Sequence, residues 1–511
     1  MTSDEEQWPP PSRTRRLWAG LLVLGLAGAV AAWLWWPRAY EALDLLDPVE
    51  PHAYVTGGRP SPGSEAQRAM FEFALPAFMI ALDRGQDPES ASAELELAAS
   101  QAALPPAVLA ALRTFAGTCV QARAEGGEEL AQALQRAGAA LNTSLAGAEL
   151  GYYLDTQVTM SRDGALRVFF ETFVVTRVTP YQLGAHTEHA LLIRRLDHTN
   201  IALATLGFTR PEASEALIQV DRIEEHLVAH LLPTLKPDAP FRLAGPEVTR
   251  SGELTRLEAV AGEAIREELL AVLDPSAGLT LGTTMHDRRA LFERWQNLAS
   301  GRDAVFYAPT TYEVDMDALE PFRWQLDGFS ELREAHRVLG EEAVVRAYLD
   351  ARDALAQVVE RHELQHRFDY REGVFDALPA ALAGTLVHLE AGAPLDDRAR
   401  VVVAELSAYS ASIAESEALA KTELLLLGRH VLGLRGGRRN EAQAAGFLLE
   451  HLDAALFPEG PIVGRRPVHY AARMERLLQV PGQRLRATLR ALWESWFART
   501  LPAARPVAPA Q

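Results

Sequence analysis

Cysteine is almost missing from this sequence: Cys119 is the only one among 511 residues. No intrachain disulfide can form, and no cysteine cluster can hold a metal, so a metal site must be built from His, Asp and Glu. Cys119 lies in the apolar stretch LRTFAGTCVQA and reads as a buried core residue. Lysine is nearly absent too, with only Lys236 and Lys421, and arginine carries almost all the positive charge, a bias that suggests a GC-rich bacterial genome. Positive charge as a whole is in deficit. The formal net charge is −18, which repels phosphate backbones and excludes nucleic acid as a partner. One sequon, Asn142-Thr143-Ser144, reads as coincidence in such a chain.

Uninterrupted apolar sequence is also scarce, with one exception. Residues 17–36, LWAGLLVLGLAGAVAAWLWW, carry no charge. At about 1.5 Å per residue, 20 helical residues cross a hydrocarbon core of about 30 Å. Trp18 stands at one end and Trp33, Trp35 and Trp36 at the other, where indole rings favour the interfaces. Arg13, Arg15 and Arg16 precede the run, whereas Glu41, Asp44 and Asp47 follow it after Arg38. The positive-inside rule puts residues 1–16 in the cytoplasm and the large body outside, facing the periplasm or the cell exterior. A cleaved signal peptide is the alternative, with Ala29-Val30-Ala31 as its cleavage site, but the apolar run continues past it to Trp36. Residues 37–64 contain Pro48, Pro51, Gly57, Gly58, Pro60, Pro62 and Gly63 and read as a flexible linker.

The composition beyond, with 48% hydrophobic and 23% charged residues, is that of a globular body, and the length implies two or three domains. The expected fold is mainly α with a small α+β unit. Residues 65–150, rich in Ala, Leu, Glu and Gln, predict helices broken near Pro105 and Pro106. Residues 151–245 predict the α+β unit. LDTQVTM (154–160) and LRVFFETFVVTRV (166–178) flank the turn signal Ser161-Arg162-Asp163-Gly164 and form a predicted hairpin. HALLIRRL (189–196) and NIALATLGF (200–208) read as further strands, and SEALIQVDRIEEHLVAHLL (214–232) reads as helix. Residues 246–500 predict a mainly helical region interrupted by a strand over 304–316, AVFYAPTTYEVDM, and 501–511 predict a disordered tail.

The chemistry-bearing motif is His362-Glu363-Leu364-Gln365-His366. Histidines four residues apart share a helix face, so both imidazoles reach one zinc ion. Glu363 is rotated by about 100° from His362, beside the metal rather than on it. No Pro or Gly interrupts the chain between Gly340 and Tyr370, and Leu355, Val359, His362, His366 and Asp369 follow one stripe at helical spacing. A catalytic zinc keeps three protein ligands and an open position. Glu405 is the candidate third ligand, because a carboxylate among Val401, Val402, Val403, Ala404, Leu406 and Ala408 calls for a cation. Asp396 or Asp397 caps its helix. Glu372 is a rival ligand, and Asp369 a carboxylate supporting the ligands from behind. Tyr409, one turn past Glu405, is a candidate oxyanion donor, and His388, His430 and His469 are others.

This pattern resembles the gluzincins, HExxH metallopeptidases whose third zinc ligand is a glutamate on a later helix. The resemblance covers about residues 355–417 and is strongest at HELQH. It implies a zincin-like catalytic region with His362, His366 and Glu405 on Zn2+ and Glu363 as general base. It implies a protein or peptide substrate; with the apolar run at 17–36, the expectation is a bacterial membrane-anchored peptidase. Around Glu405 the chain reads AELSAY rather than the Asn-Glu-x-x-Ser-Asp of thermolysin-type members. A zinc hydrolase of non-peptide amides or esters uses the same chemistry. A binding or scaffold protein with an accidental HExxH is the reading from a different class. In the peptidase reading, the 304–316 strand is a place for an extended peptide to add.

Overall fold

The computed structural model describes residues 60–160, 166–196, 205–209, 215–243, 252–299, 309–374, 378–386, 392, 394–432 and 439–507. Residues 17–36, the turn at 161–164, most of the strand expected over 200–208, and His388 lie outside them. Among the described residues no helix is long and apolar enough to cross a membrane.

The architecture is mainly helical around one small sheet, as the composition predicts. The first region is a helical module. α1 (Glu65–Ala69) runs through a wide turn at Met70–Ala74 into α2 (Leu75–Asp83), followed by α3 (Pro88–Gln101), α4 (Pro106–Glu125) and α5 (Glu128–Gly147). Phe71, Leu75, Leu112, Phe115, Leu134 and Leu141 form its core, and Cys119 lies buried among them. Burial pushes the Cys119 thiol far above its usual range, which leaves it inert. Asn142 is structural as well. Its amide bonds both the carbonyl and the N–H of Leu154, at 2.9 and 2.8 Å.

The expected linker gives way to ordered structure by residue 60. Ser61 bridges to Leu150, Gly151 N–H donates to the Ser61 carbonyl at 2.8 Å, and Tyr152 Oη donates to the Pro62 carbonyl at 2.9 Å. Ser64 and Gln67 then form a reciprocal cap for α1. Pro60, Pro62 and Gly63 therefore belong to a strap laid on the module, and the rest of the expected linker, 37–59, lies outside the described residues.

The sheet runs in the order β1-β2-β3-β5-β4: β1 is Tyr152–Met160, β2 Leu166–Leu183, β3 His186–Arg195, β4 Gly207–Thr209 and β5 Glu215–Gln219. β1, β2 and β3 pair antiparallel as the hairpin pattern predicts, with a register shift at Val175/Arg177, while β3 and β5 are parallel. β5 corrects the helix expected from residue 214. Ala216 and Ile218 face the main core, and Leu217 faces a second cluster with Phe173 and Phe208. With both faces apolar, the alternation that identifies a strand disappears. Helix begins only at α6 (Val220–His226).

The remaining helices are α7 (Gly252–Val272), α8 (Pro275–Ala299), α9 (Met316–Leu319), α10 (Phe329–Leu339), α11 (Glu342–Arg371), α12 (Asp397–Glu415), α13 (Ala420–Gly428), α14 (Arg439–Leu456), α15 (Pro467–Leu477) and α16 (Gly482–Phe497). Of the strand expected over 304–316, residues 304–308 lie outside the described residues, and 309–315 form no strand, bending at 310–313. Pro309 offers no N–H to a ladder, Tyr312 stacks on Tyr348, and Arg288 takes the carbonyls of Thr311 and Tyr312.

The tail expected over 501–511 is also partly ordered. β6 (Ala504–Pro506) pairs antiparallel with β2, and Leu501 is buried. Its backbone is held by charged side chains: Ala504 N–H donates to Glu415 at 3.2 Å, and Arg361 donates to the Pro502 carbonyl at 2.9 Å.

α11 is the central helix, buried around most of its circumference despite many charged residues. Four of the buried charges pair with neighbouring elements. Arg352 faces Glu224 at 3.8 Å, Glu360 faces Arg177 at 3.4 Å, Arg361 meets Glu415 at 2.6 Å, and Arg367 meets Glu188 at 3.6 Å. Buried ions left unpaired would be costly, so these pairs fix how α11 sits between sheet and helices.

Candidate metal centre

HELQH lies in the last third of α11, where its expected helical geometry holds. His362 and His366 project to one side, and their Nε2 atoms approach to 3.2 Å. α12 crosses beside them. Asp396 caps it, accepting from Ala399 N–H at 2.7 Å, and Glu405 follows about two turns in. Glu405 Oε2 is 3.6 Å from His362 Nε2, and Oε1 is 4.0 Å from His366 Nε2. One ligand atom from each of the three residues lies within 4.8 Å of the others.

The donor set fits a divalent ion on its own chemistry. Zinc–ligand distances of about 2.0–2.1 Å in a tetrahedron separate ligand atoms by about 3.3 Å, close to the spacing of the two imidazole nitrogens. Burial depresses His362 to about 3 and His366 to about 4; Arg361 adds to the first shift, and Glu405 partly opposes the second. Both rings are therefore neutral near pH 7, the form that ligates metal. Among the described residues no guanidinium or ammonium pairs with Glu405, so two neutral imidazoles are its ion-pair neighbours. A largely buried carboxylate in that company is electrostatically incomplete without a cation.

Glu363 is held just beside this group. It is 5% exposed, and its Oε2 accepts from Thr209 Oγ1 at 2.9 Å. Thr209 belongs to β4, the terminal strand of the sheet among the described residues. The approach of strand to helix is close enough to require glycine at 207. A Cβ there would lie 2.7 Å from Val359 Cγ1, 2.9 Å from Glu363 Cγ and 2.9 Å from the Leu217 carbonyl oxygen.

The other sequence candidates separate. Glu372 is not in the cluster; it pairs with His186 at 2.6 Å and Arg499 at 3.6 Å. Asp369, one turn past His366 on α11, is fully buried, accepting from Gln365 Nε2 at 2.7 Å, and Ser407, bonded to Trp493 Nε1 at 3.0 Å, completes that network. Tyr409 packs its ring edge-on against His362, with centroids 4.5 Å apart, while its hydroxyl lies 3.5 Å from His430 Nε2. His430 thus touches Tyr409, which packs on the candidate ligand His362. His469 sits at the start of α15, where Nδ1 accepts from Arg466 N–H at 3.3 Å.

Three participants were not among the sequence candidates. Tyr370 is one. Its acidity is weakened first by burial and then by the charges of Glu405 and Glu363, so the phenol lies within reach of the field of both carboxylates. The spacing Glu363, His366, Tyr370 is one helix stripe, so the signal was available. Gly207 and Thr209 gave none, since a three-residue strand carries no periodicity. No family model, curated protein or solved structure matches the chain.

Proposed function

We propose that this chain is a zinc-dependent hydrolase of peptide bonds, anchored in a bacterial membrane through residues 17–36 with its body outside the cytoplasm. One observation carries the reading: His362, His366 and Glu405, from two helices, converge with their donor atoms within 4.8 Å. Zinc, when bound there, supplies Lewis acidity that polarises a substrate carbonyl and makes water easier to deprotonate. His362 and His366 would hold it through Nε2, and Glu405 through a carboxylate oxygen. Glu363 takes the proton from the attacking water and returns it to the leaving amine, with Thr209 steadying Oε2. Tyr370 donates its phenolic hydrogen to the developing oxyanion, and Tyr409 is the alternative donor. The place of β4 at the sheet margin, bonded to the general base, favours an extended peptide that adds to the sheet there.

The test is metal content of the purified full-length chain, measured by mass spectrometry, beside casein hydrolysis. About one zinc per chain is expected, lost in His366→Ala and in Glu405→Ala. Glu363→Gln should keep the zinc and slow hydrolysis by about 10²–10⁴-fold. No zinc after incubation with the metal would overturn the reading in favour of a binding protein. Bound zinc without peptide cleavage, but with turnover of simple esters or amides, would move the substrate class away from peptides.

A further inference from the structure

Ser407 follows Glu405 by two residues on α12 and is fully buried, as are Gln365 and Asp369 on α11 and Trp493 on α16. On its own helix it is the polar member of a stripe at helical spacing whose other members, Ala404, Ala408 and Ala411, are also buried. Apolar packing is non-directional, so the alanines leave the rotation of α12 about its axis poorly fixed. That rotation matters at Glu405. His362 and His366 stand on α11 and Glu405 on α12, so turning one helix against the other spreads the three donor groups apart.

The hydroxyl of Ser407 supplies direction. Trp493 Nε1 donates to Ser407 Oγ at 3.0 Å, and Gln365 Nε2 donates to it at 3.4 Å. An indole nitrogen and an amide nitrogen only donate, so both acceptor pairs of the hydroxyl are used. Its single O–H is left for Asp369, whose carboxyl is held down in part by a bond from Ser407 and accepts from Gln365 Nε2 at 2.7 Å. Three helices thus meet at one oxygen that has its full complement of bonds. α11 contributes from positions on either side of His366 in the chain, and α12 from beside Glu405.

We propose that Trp493 is a positioning residue for the candidate metal centre: its indole N–H orients the Ser407 hydroxyl, and the oriented hydroxyl locks α12 to α11 at the rotation that brings Glu405 to the two histidines. The inference deepens the zinc reading and rests on it.

Zinc affinity of the full-length chain, measured by competition with a chromophoric chelator, tests this. Melting of the metal-free proteins sets a temperature at which each variant is folded. Trp493→Phe keeps an aromatic ring and removes the N–H, and should weaken zinc binding about tenfold. Ser407→Ala should weaken it by a similar factor, and the double variant by no more than the worse single change, because both act through one bond. Trp496→Phe, three residues on in the same helix, alters an indole that packs instead against Phe447 and His451. It should leave zinc affinity unchanged whatever it costs in melting temperature. An unchanged affinity in Trp493→Phe, an equal loss in Trp496→Phe, or additive losses in the double variant would each overturn the proposal. Should Trp493→Phe not fold, Ser407→Ala carries the test, and an unchanged affinity there overturns it. No zinc bound by the parent chain would overturn the metal reading itself, and this inference with it.

Discussion

At the scale of single residues, the two histidines and Glu405 were legible because each obeys a local rule. Imidazoles four apart on a helix share a face, and a carboxylate flanked by valines needs a cation. What supports them was less legible. Asp369 lies three residues past His366 and could equally have been a surface charge, but the structure buries it completely. Burial pushes its carboxyl up to about 7, partly offset by bonds from Ser407 and Gln365. In the unfolded chain the same group titrates near 3.9. Between about pH 4 and 7 the folded protein therefore keeps a proton that the unfolded chain releases, and the stability Asp369 contributes falls as pH rises through that window. Asp369→Asn removes the titration. Its thermal stability relative to the parent should improve steadily from pH 4 to 7 and level off above, by a few °C in melting temperature. A difference that stays constant with pH would show that Asp369 does not titrate in this way.

At the scale of elements, helices longer than two turns were readable from composition and periodicity, and the β1–β2 pairing from its flanking turn signal. The failures share a cause. Strand recognition depends on one wet face, so β5, covered on both sides, looked like helix. The alternation at 304–316 looked like a strand although, in its described part from Pro309 on, a proline and the grip of Arg288 on the Thr311 and Tyr312 carbonyls leave no ladder. β4 is the short element that matters most to the site, because it presents Thr209 to Glu363 through a gap only glycine allows. Gly207→Ala places a methyl against the Leu217 carbonyl, which cannot rotate away, and should cost about 1–3 kcal/mol. In the proposed enzyme the variant should keep its zinc while losing most hydrolysis, since the displaced group is the base and not a ligand. Equal stability and activity in Gly207→Ala, followed by thermal melting and casein cleavage, would show that the sheet does not set the position of Glu363.

At the scale of the whole molecule, the candidate centre is assembled from distant stretches: two histidines from α11, a glutamate from α12, a threonine from β4, and a clasp from residues 501–506. Truncation after residue 500 deletes the burial of Leu501, the β6–β2 pairing and the backbone acceptor of Arg361, the residue next to His362. A loss of about 3 kcal/mol is expected, measurable by urea denaturation of the full-length and shortened chains. The same clasp has a bearing on biosynthesis. Ribosomal synthesis delivers both histidines and Glu405 roughly a hundred residues before it delivers Pro502 and Ala504. A nascent chain at that stage carries a full set of metal-binding donors, but Arg361 and Glu415 still lack the backbone they grip. The backbone that Arg361 and Glu415 grip is thus the last part of the clasp to be made, after α11 and α12 have been synthesised in full.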